Sequence, residues 1–298
     1  MKSATAEGPG GLSVTLIAPP PDLAPYISAY YRTVAGPSET QADCLPPEWA
    51  NLRAGRADVY EAAIGSDPLR AVPPAVLSGP TSRITHMRLR GGRFWGIGLL
   101  PLGFAQFIRS PASKFADRFE DISVHPALSR VGGLLSELAD SQRGIERDVE
   151  RMNALFRSLL AEPPPDRDAI LGTHGALLDE DTQSVVAIAA LAGVSPRTLE
   201  RRCARWFGFP PQLLLRRQRF LRSLGQYMLD PSMTWIDSLD GGYHDQAHFL
   251  RDFRRFMGMR PGEYRAMAHP IATLAAQARR QALGQVMQVL HHPRVAGA

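Results

Sequence analysis

The chain has 298 residues, 44% of them apolar and 21% charged, which is the composition of a globular protein with a sizeable core and excludes a disordered or collagen-like chain. Two cysteines, Cys44 and Cys203, are too few for a disulfide scaffold. The net charge of +5 is concentrated: residues 184–265 hold 13 Arg, no Lys and 7 acids, so a near-neutral remainder carries a basic module of the kind that binds polyanions.

The first residues, Met1 to Gly11, carry one Lys and no apolar run of signal-peptide length. The most apolar stretch, Phe94 to Ile108, is interrupted by Gly96, Gly98, Pro101 and Gly103 and is too short to span a bilayer. A cytoplasmic protein with no membrane partner is expected. Residues 12–100 read as short extended segments punctuated by Gly and Pro, among them Ser13 to Ala18, Asp58 to Ile64, Arg83 to Arg90 and Arg93 to Leu100. Strands at that spacing predict a small barrel or sandwich. Trp49, Tyr60, Phe94, Trp95 and Phe104 would either line an apolar pocket or simply fill the core, the core being favoured for most of them. His86 on a presumed strand has no companion ligands in a metal-binding motif, and Cys44 lacks the basic surroundings of an activated thiolate. No Walker loop, G-x-G-x-x-G or G-x-S-x-G motif occurs.

Two amphipathic helices follow. Leu128, Val131, Leu134, Leu135 and Leu138 form one apolar stripe; Val149, Met152, Leu155, Phe156 and Leu159 form another at the same offsets. Such stripes pack on their own domain or pair across a dimer. The run Ala161-Glu162-Pro163-Pro164-Pro165-Asp166 then rules out continuous helix and predicts an extended spacer.

Beyond the prolines the chain repeats itself. Leu199 to Pro211 aligns with Phe249 to Pro261 at an offset of 50 residues, both reading apolar-x-Arg-x-x-x-Arg-aromatic-apolar-Gly-apolar-x-Pro. In each copy the Gly can end a helix in the left-handed conformation and the Pro stops it resuming at once. Upstream, Val185 to Ala192 predicts a short helix closed by Gly193-Val194, with Ser195 as N-cap and Pro196 in the first turn of the next helix. The second copy has Gly242-Tyr243 and Asp245 in the same places. Gln212 to Leu229, with Phe220, Leu221, Leu224 and Met228 on one face, predicts a rigid helix between the copies. Helix, tight glycine turn, capped polar helix is the helix-turn-helix outline, present twice.

These residues resemble the AraC/XylS family of transcriptional regulators. The resemblance is carried by Ala189, Ala192-Gly193-Val194-Ser195-Pro196-Arg197-Thr198-Leu199 and Arg201, by Gly242-Tyr243, Asp245-Gln246-Ala247-His248-Phe249, Arg251, Phe253 and Arg254, and by Gly258-Met259-Arg260-Pro261-Gly262-Glu263-Tyr264-Arg265. Pro47 to Arg53 and Leu99 to Phe104 are a weaker match to the amino-terminal domain often joined to this module. The resemblance implies that the second helix of each unit enters a major groove. Arg197, Thr198, Glu200 and Arg201 then fall at groove-facing positions in the first copy, and Gln246, Ala247, His248, Leu250 and Arg251 in the second. Arg to guanine and Gln to adenine are the natural base pairings for such helices, which puts weight on Arg201, Gln246 and Arg251. Arg202, Arg205, Arg254 and Arg255 suit phosphates or surface salt bridges.

Two departures qualify the resemblance. Cys203 stands where the second copy has Phe253. Ile188 and Ala189 correspond to Asp237 and Ser238, and an ionised Asp at a core position is costly, unless Ile236 supplies the apolar side chain and one residue is missing before Gly242. A second unit packed in that atypical way would contribute backbone contacts more than base readout. His244 and His248, four apart, have no third metal ligand nearby except Asp245, and His291-His292 is isolated, so no metal or other cofactor is expected.

The sequence as a whole predicts an α+β protein: a mainly β sensor-like or dimerising domain over 11–160 with helices at its end, a proline-rich linker over 161–168, an all-α double helix-turn-helix domain over 169–265, and a helical or disordered tail over 266–298. The expected partner is double-stranded DNA, with RNA polymerase, a small-molecule effector and a second copy of the chain implied by the resemblance. A small-molecule enzyme domain fused to a DNA-binding module is the alternative.

Overall fold

The computed structural model describes residues 1–125, 128–160, 162–230, 232–235, 237–243 and 245–292. Ile236 and His244, on which two of the sequence expectations turn, lie outside the described residues, as does Ala161 of the proline run. The architecture is mainly β in its first half and helical in its second, α+β overall.

In chain order the first half contains β1 (Ser3–Glu7), β2 (Ser13–Ile17), β3 (Ile27–Ala35), β4 (Gln41–Leu45), β5 (Asn51–Ile64), β6 (Arg70–Ala71), β7 (Ala75–Ser78), β8 (Thr85–Leu99), α1 (Pro101–Phe107), β9 (Phe119–Asp121), α2 (Ser129–Ala139) and α3 (Ile145–Ser158). The strands form one antiparallel sheet built around β5 and β8, which pair from Asn51 opposite Gly98 to Ile64 opposite Thr85. The far edge of β8 is shared end to end, β3 pairing with its second half and β4 with its first. The expected pair of strands over 83–90 and 93–100 is thus one long strand. Gly91, at φ 57°, lets the chain bend between the two pairing partners without ending the strand.

Adjacent residues of β8 supply opposite faces, as period-two alternation requires. Trp95, Ile97 and Leu99 join Tyr30, Leu52 and Leu77 in a core closed by Phe104 of α1, Leu135 of α2 and Phe156 of α3. Both apolar stripes of the helix pair are therefore spent on the domain's own sheet. Phe94 and Leu89 point the other way, with Val14, Leu16 and Ala29.

The second half contains α4 (Arg167–Leu178), α5 (Val185–Leu191), α6 (Pro196–Phe207), α7 (Pro211–Leu229), α8 (Gln246–Met257), α9 (Pro261–Ala266) and α10 (Pro270–Leu283). The last helix leaves the helical module and lies across β1, β2 and β4. Its Ile271, Leu274, Ala278 and Ala282 cover the Phe94 face of the sheet, which would otherwise be bare.

The proline segment does not hold the halves apart. Trp49, Ile84, Leu100 and Leu102 of the first half share one continuous core with Leu177, Phe207, Leu221 and Phe256 of the second. Asp166, at the end of the proline run, accepts a hydrogen bond from the Trp206 indole at 2.9 Å. The Ile84 amide donates to the Phe256 carbonyl at the end of α8, at 2.7 Å. Arg217 of α7 is fully buried at the junction, its guanidinium 4.0 Å from the Trp49 ring centroid and donating to the Thr81 carbonyl at 2.9 Å.

Candidate nucleic-acid interface and sensor cavity

The 50-residue repeat is a repeat of three-dimensional structure. Helices α6 and α8 have the same length and start at equivalent residues. Ser195 accepts from the Thr198 amide at 3.2 Å and Asp245 from the His248 amide at 2.6 Å, each satisfying an amide that the first turn leaves unpaired. Gly208 and Gly258 close the helices at φ 86° and 66°, where any other residue would be strained. Pro211 and Pro261 then open α7 and α9.

Each of the two helices buries one face and offers the other to solvent. Leu199, Cys203, Trp206 and Phe207 face inward from α6; Phe249, Phe253, Phe256 and Met257 do so from α8. Arg197, Glu200, Arg201 and Arg205 are exposed on the first helix, and Gln246, Arg251, Arg254 and Arg255 on the second. Among the described residues, none of Arg197, Arg201, Arg251, Arg254 and Arg255 is engaged in an ion pair. Arg205 lies over the neighbouring Trp206 ring at 4.6 Å. Thr198 is half-buried, its hydroxyl 3.0 Å from that of Ser195, so its first duty is at the cap. His248 also turns partly inward, with Nε2 3.8 Å from the Asp252 carboxylate and its ring edge-on to Tyr243.

What fixes the two helices differs between the copies. Arg202 pairs with Asp166 at 3.5 Å, tying α6 to the segment that follows the prolines. At the matching position α8 has Asp252, completely buried, which accepts from Arg216 Nε of α7 at 3.0 Å and from the Tyr243 hydroxyl at 3.2 Å. A salt bridge is one of the two roles the sequence suggests for Arg202, whereas the buried anchor at Asp252 has no counterpart among its expectations. The signal lay in the repeat itself, where an acid on α8 replaces a base on α6 while the flanking aromatic positions persist.

The second unit has no scaffold helix corresponding to α5; the described residues between Ser232 and Tyr243 form turns. Asp237 is not a core residue. It is exposed, and its carboxylate accepts from the Thr234 hydroxyl at 2.6 Å. Trp235 supplies the apolar surface instead, stacked on Tyr227 with centroids 3.8 Å apart and set edge-on to Phe253 at 5.1 Å. In the first unit Cys203 is fully buried, and burial pushes its thiol up to about 12, which makes it inert filling.

A second feature lies between the sheet and α10. A cavity of about 120 Å³ is bordered on the sheet side by Val14, Leu16, Leu89 and Phe94 and on the helix side by Ile271 and Ala275. Of the five aromatics that could line a pocket, Tyr60 and Phe94 border this cavity and Trp95 touches it from the sheet core to which it belongs, whereas Trp49 and Phe104 lie in the cores alone. Its polar end is formed by Tyr31, Glu48, Asn51, Arg53, Arg279 and Gln288. The Tyr31 ring lies against Gly96, where a Cβ would fall 2.0 Å from the ring carbon Cζ, so only glycine admits it. Arg53 pairs with Glu48 at 2.6 Å. Asn51 accepts from Tyr31 at 3.3 Å and donates to Gln288 at 3.2 Å, and Gln288 donates to the Ala50 carbonyl at 3.2 Å. Gln288 is thus a tail residue built into the floor of the first domain.

Beside the cavity, Asp43, Cys44 and His269 form the one group of three potential metal ligands among the described residues. The arrangement fits a latch better than a metal site. Asp43 Oδ2 accepts from the Ile271 and Ala272 amides, both at 2.7 Å, and so caps α10 from a neighbouring strand. Its Oδ1 accepts from the Cys44 amide at 2.6 Å and lies 3.3 Å from His269 Nδ1. His269 Nε2 is 2.8 Å from the Tyr264 carbonyl. An ion would have to displace these bonds. His86 is half-buried on β8, and burial lowers its pKa.

Comparison with known proteins agrees with the repeat. Residues 188–267 match a family model described as a helix-turn-helix domain, and residues 15–121 match a domain of unknown function (DUF6597). No curated protein matches the chain. Among solved structures, an apo point variant of ToxT from Vibrio cholerae is 12% identical with a TM-score of 0.43, covering 80% of this chain and 97% of its own. Wild-type ToxT from the same organism with an unsaturated fatty acid bound gives 12% and 0.41, covering 77% and 95%. The AraC-like transcriptional activator CuxR gives 12% and 0.32, covering 75% and 87%. Likeness at that level says nothing of ligand or target. No helix among the described residues is long and apolar enough to cross a membrane.

Proposed function

We propose that this chain, a transcriptional regulator whose carboxy-terminal module is an AraC-type helix-turn-helix domain, reads DNA by placing α6 and α8 in successive major grooves of one duplex face. The observation that carries this reading is the equivalence of Arg201 and Arg251. Both stand at the same place on equally capped helices, both are exposed, and neither is drawn into an ion pair among the described residues. An arginine so placed offers two parallel donors to guanine O6 and N7. Gln246, in the first turn of α8, suits adenine, and Glu200 suits a cytosine amine. Arg197, Arg205, Arg254 and Arg255 supply phosphate contacts. With about four such contacts, the logarithm of affinity falls against log salt with a slope on the order of −4. The rigid helix α7 sets the separation of the two readers, so a straight duplex fits only approximately and modest bending is expected.

The first domain serves as the sensor, its cavity lying where α10 joins the DNA-binding module to the sheet. Support comes from the shared core and from Asp43, which caps the helix that begins four residues after α9 ends.

Selection of bound sequences from random duplexes tests the DNA reading. The parent protein is expected to enrich two blocks about one helical turn apart. Arg201→Ala should relax one block and Arg251→Ala the other, each by about 1–3 kcal/mol of discrimination. A single block, lost with Arg201→Ala and untouched by Arg251→Ala, would make the second unit a backbone clamp and overturn two-groove readout.

A further inference from the structure

We propose that the cavity under α10 is a binding site for a small apolar monocarboxylate, whose charge is met by Arg279. The proposal rests on the first domain being a sensor and names the class of molecule it takes.

The charges around the cavity are unequal. Glu48, Arg53 and Arg279 border it, two cations against one anion. Glu48 is committed to Arg53 at 2.6 Å. The phenols of Tyr31 and Tyr60 are kept neutral by burial and offer no second anion. Arg279 therefore contributes a charge that the site does not balance. It is 8% exposed, forms no ion pair among the described residues, and its Nη1 has no hydrogen-bond acceptor. Burial lowers its pKa to about 10, which leaves it cationic at neutral pH. A buried guanidinium without a counter-ion is expensive, and an anion entering the cavity would remove that cost.

Polar groups nearby are otherwise occupied. Asn51 and Gln288 bond each other and backbone carbonyls, so neither competes for a ligand's oxygen atoms. The remaining wall is hydrocarbon and aromatic, with Tyr60 set edge-on to Phe94 at 4.8 Å. One net positive charge beside an apolar wall selects one carboxylate on an apolar body. The volume of about 120 Å³ limits that body to a single ring or a short chain; an engineered apolar cavity of about 150 Å³ takes up benzene.

Position gives the site its use. Arg279 lies on the helix that Asp43 caps and that begins four residues after α9 ends. A ligand bridging Arg279 to the sheet would tighten α10 against the first domain and thereby act on the end of the DNA-binding module.

The test is thermal unfolding of the full chain with benzoate, phenylacetate and hexanoate at millimolar concentration, against benzamide and hexanamide as neutral twins and acetate as a charge without a body. At least one larger carboxylate should raise the melting temperature by about 2–8 °C while its amide and acetate do not. Arg279→Met should abolish that rise and melt, without ligand, no lower than the parent. Arg279→Lys, which keeps the charge, should retain part of the response. Equal effects of acid and amide, no effect of any carboxylate, or a lower-melting Arg279→Met that still responds to benzoate would each overturn the proposal. DNA affinity measured with the same ligand separates the two readings. A carboxylate that binds through Arg279 and leaves DNA affinity unchanged would keep the site and remove the sensor role.

Discussion

His269 shows how a single side chain joins the two halves. Both of its ring nitrogens face acceptors, Asp43 Oδ1 and the Tyr264 carbonyl, so the doubly protonated ring is the form that satisfies both. Burial alone would lower its pKa; the hydrogen bonds to Asp43, the Cys44 side chain and Tyr264 outweigh that and raise it from 6.5 to about 10. A histidine whose pKa is raised on folding stabilises the fold fully below its unfolded value, and the contribution is lost as pH rises through the folded value. Stability of the junction is therefore expected to decline between pH 6.5 and about 10. Urea denaturation of parent and His269→Gln across that window checks it, since the variant should lose this slope. A parent with a flat profile there would mean that the ring is neutral and the latch is only a contact. Arg217 carries a different expectation. Arg217→Ala removes its stacking on Trp49 and its bond to Thr81 and leaves a hole in the shared core, at a cost of about 2–4 kcal/mol by the same denaturation.

Between the two helix-turn-helix units, the first stands on a regular scaffold helix and the second on turns and an aromatic cluster. Ile188 and Ala189 of α5 give α6 a conventional floor. For α8 the floor is Trp235, with Tyr227 on one side and Phe249, Phe253 and Tyr264 on the other. Trp235→Ala should therefore loosen the second unit selectively, by about 2–3 kcal/mol, less than for a fully buried tryptophan. Amide exchange should accelerate in α8 well before α6. Uniform acceleration across both helices would mean that the module unfolds only as a whole. The sequence made much of this legible, because caps, terminal glycines and helix-opening prolines are local signals and each recurs after 50 residues. The substitute floor was hidden because Asp237 and Ser238 occupy the scaffold positions by alignment, while the stabilising ring lies outside that register and makes long-range contacts. Asp252 was hidden for a related reason: its partner, Arg216, is distant in sequence.

At the scale of the whole molecule, the proline run reads as a boundary and the folded chain crosses that boundary twice. Local composition cannot show that Phe94 and Leu89 are covered by a helix almost two hundred residues later, or that Gln288 completes a network begun at Tyr31. A fragment of residues 1–160, the natural choice from sequence, lacks α10 and presents Val14, Leu16, Leu89 and Phe94 to water. The cleaner test keeps the rest of the chain and ends it after residue 268. That truncation removes Asp43's capping partners and uncovers the sheet face that Ile271, Leu274 and Ala278 bury. Each large apolar side chain so exposed on the sheet forfeits about 1.5–3 kcal/mol, and loss of Met287 and Val289 strips packing from α7 as well. The expected result is binding of a hydrophobic dye, a lowered melting transition, and loss of response to any cavity ligand. Should the truncated chain instead melt like the parent and bind no dye, α10 would be a passenger on the sheet, and the coupling between cavity and DNA-binding module would have no structural carrier.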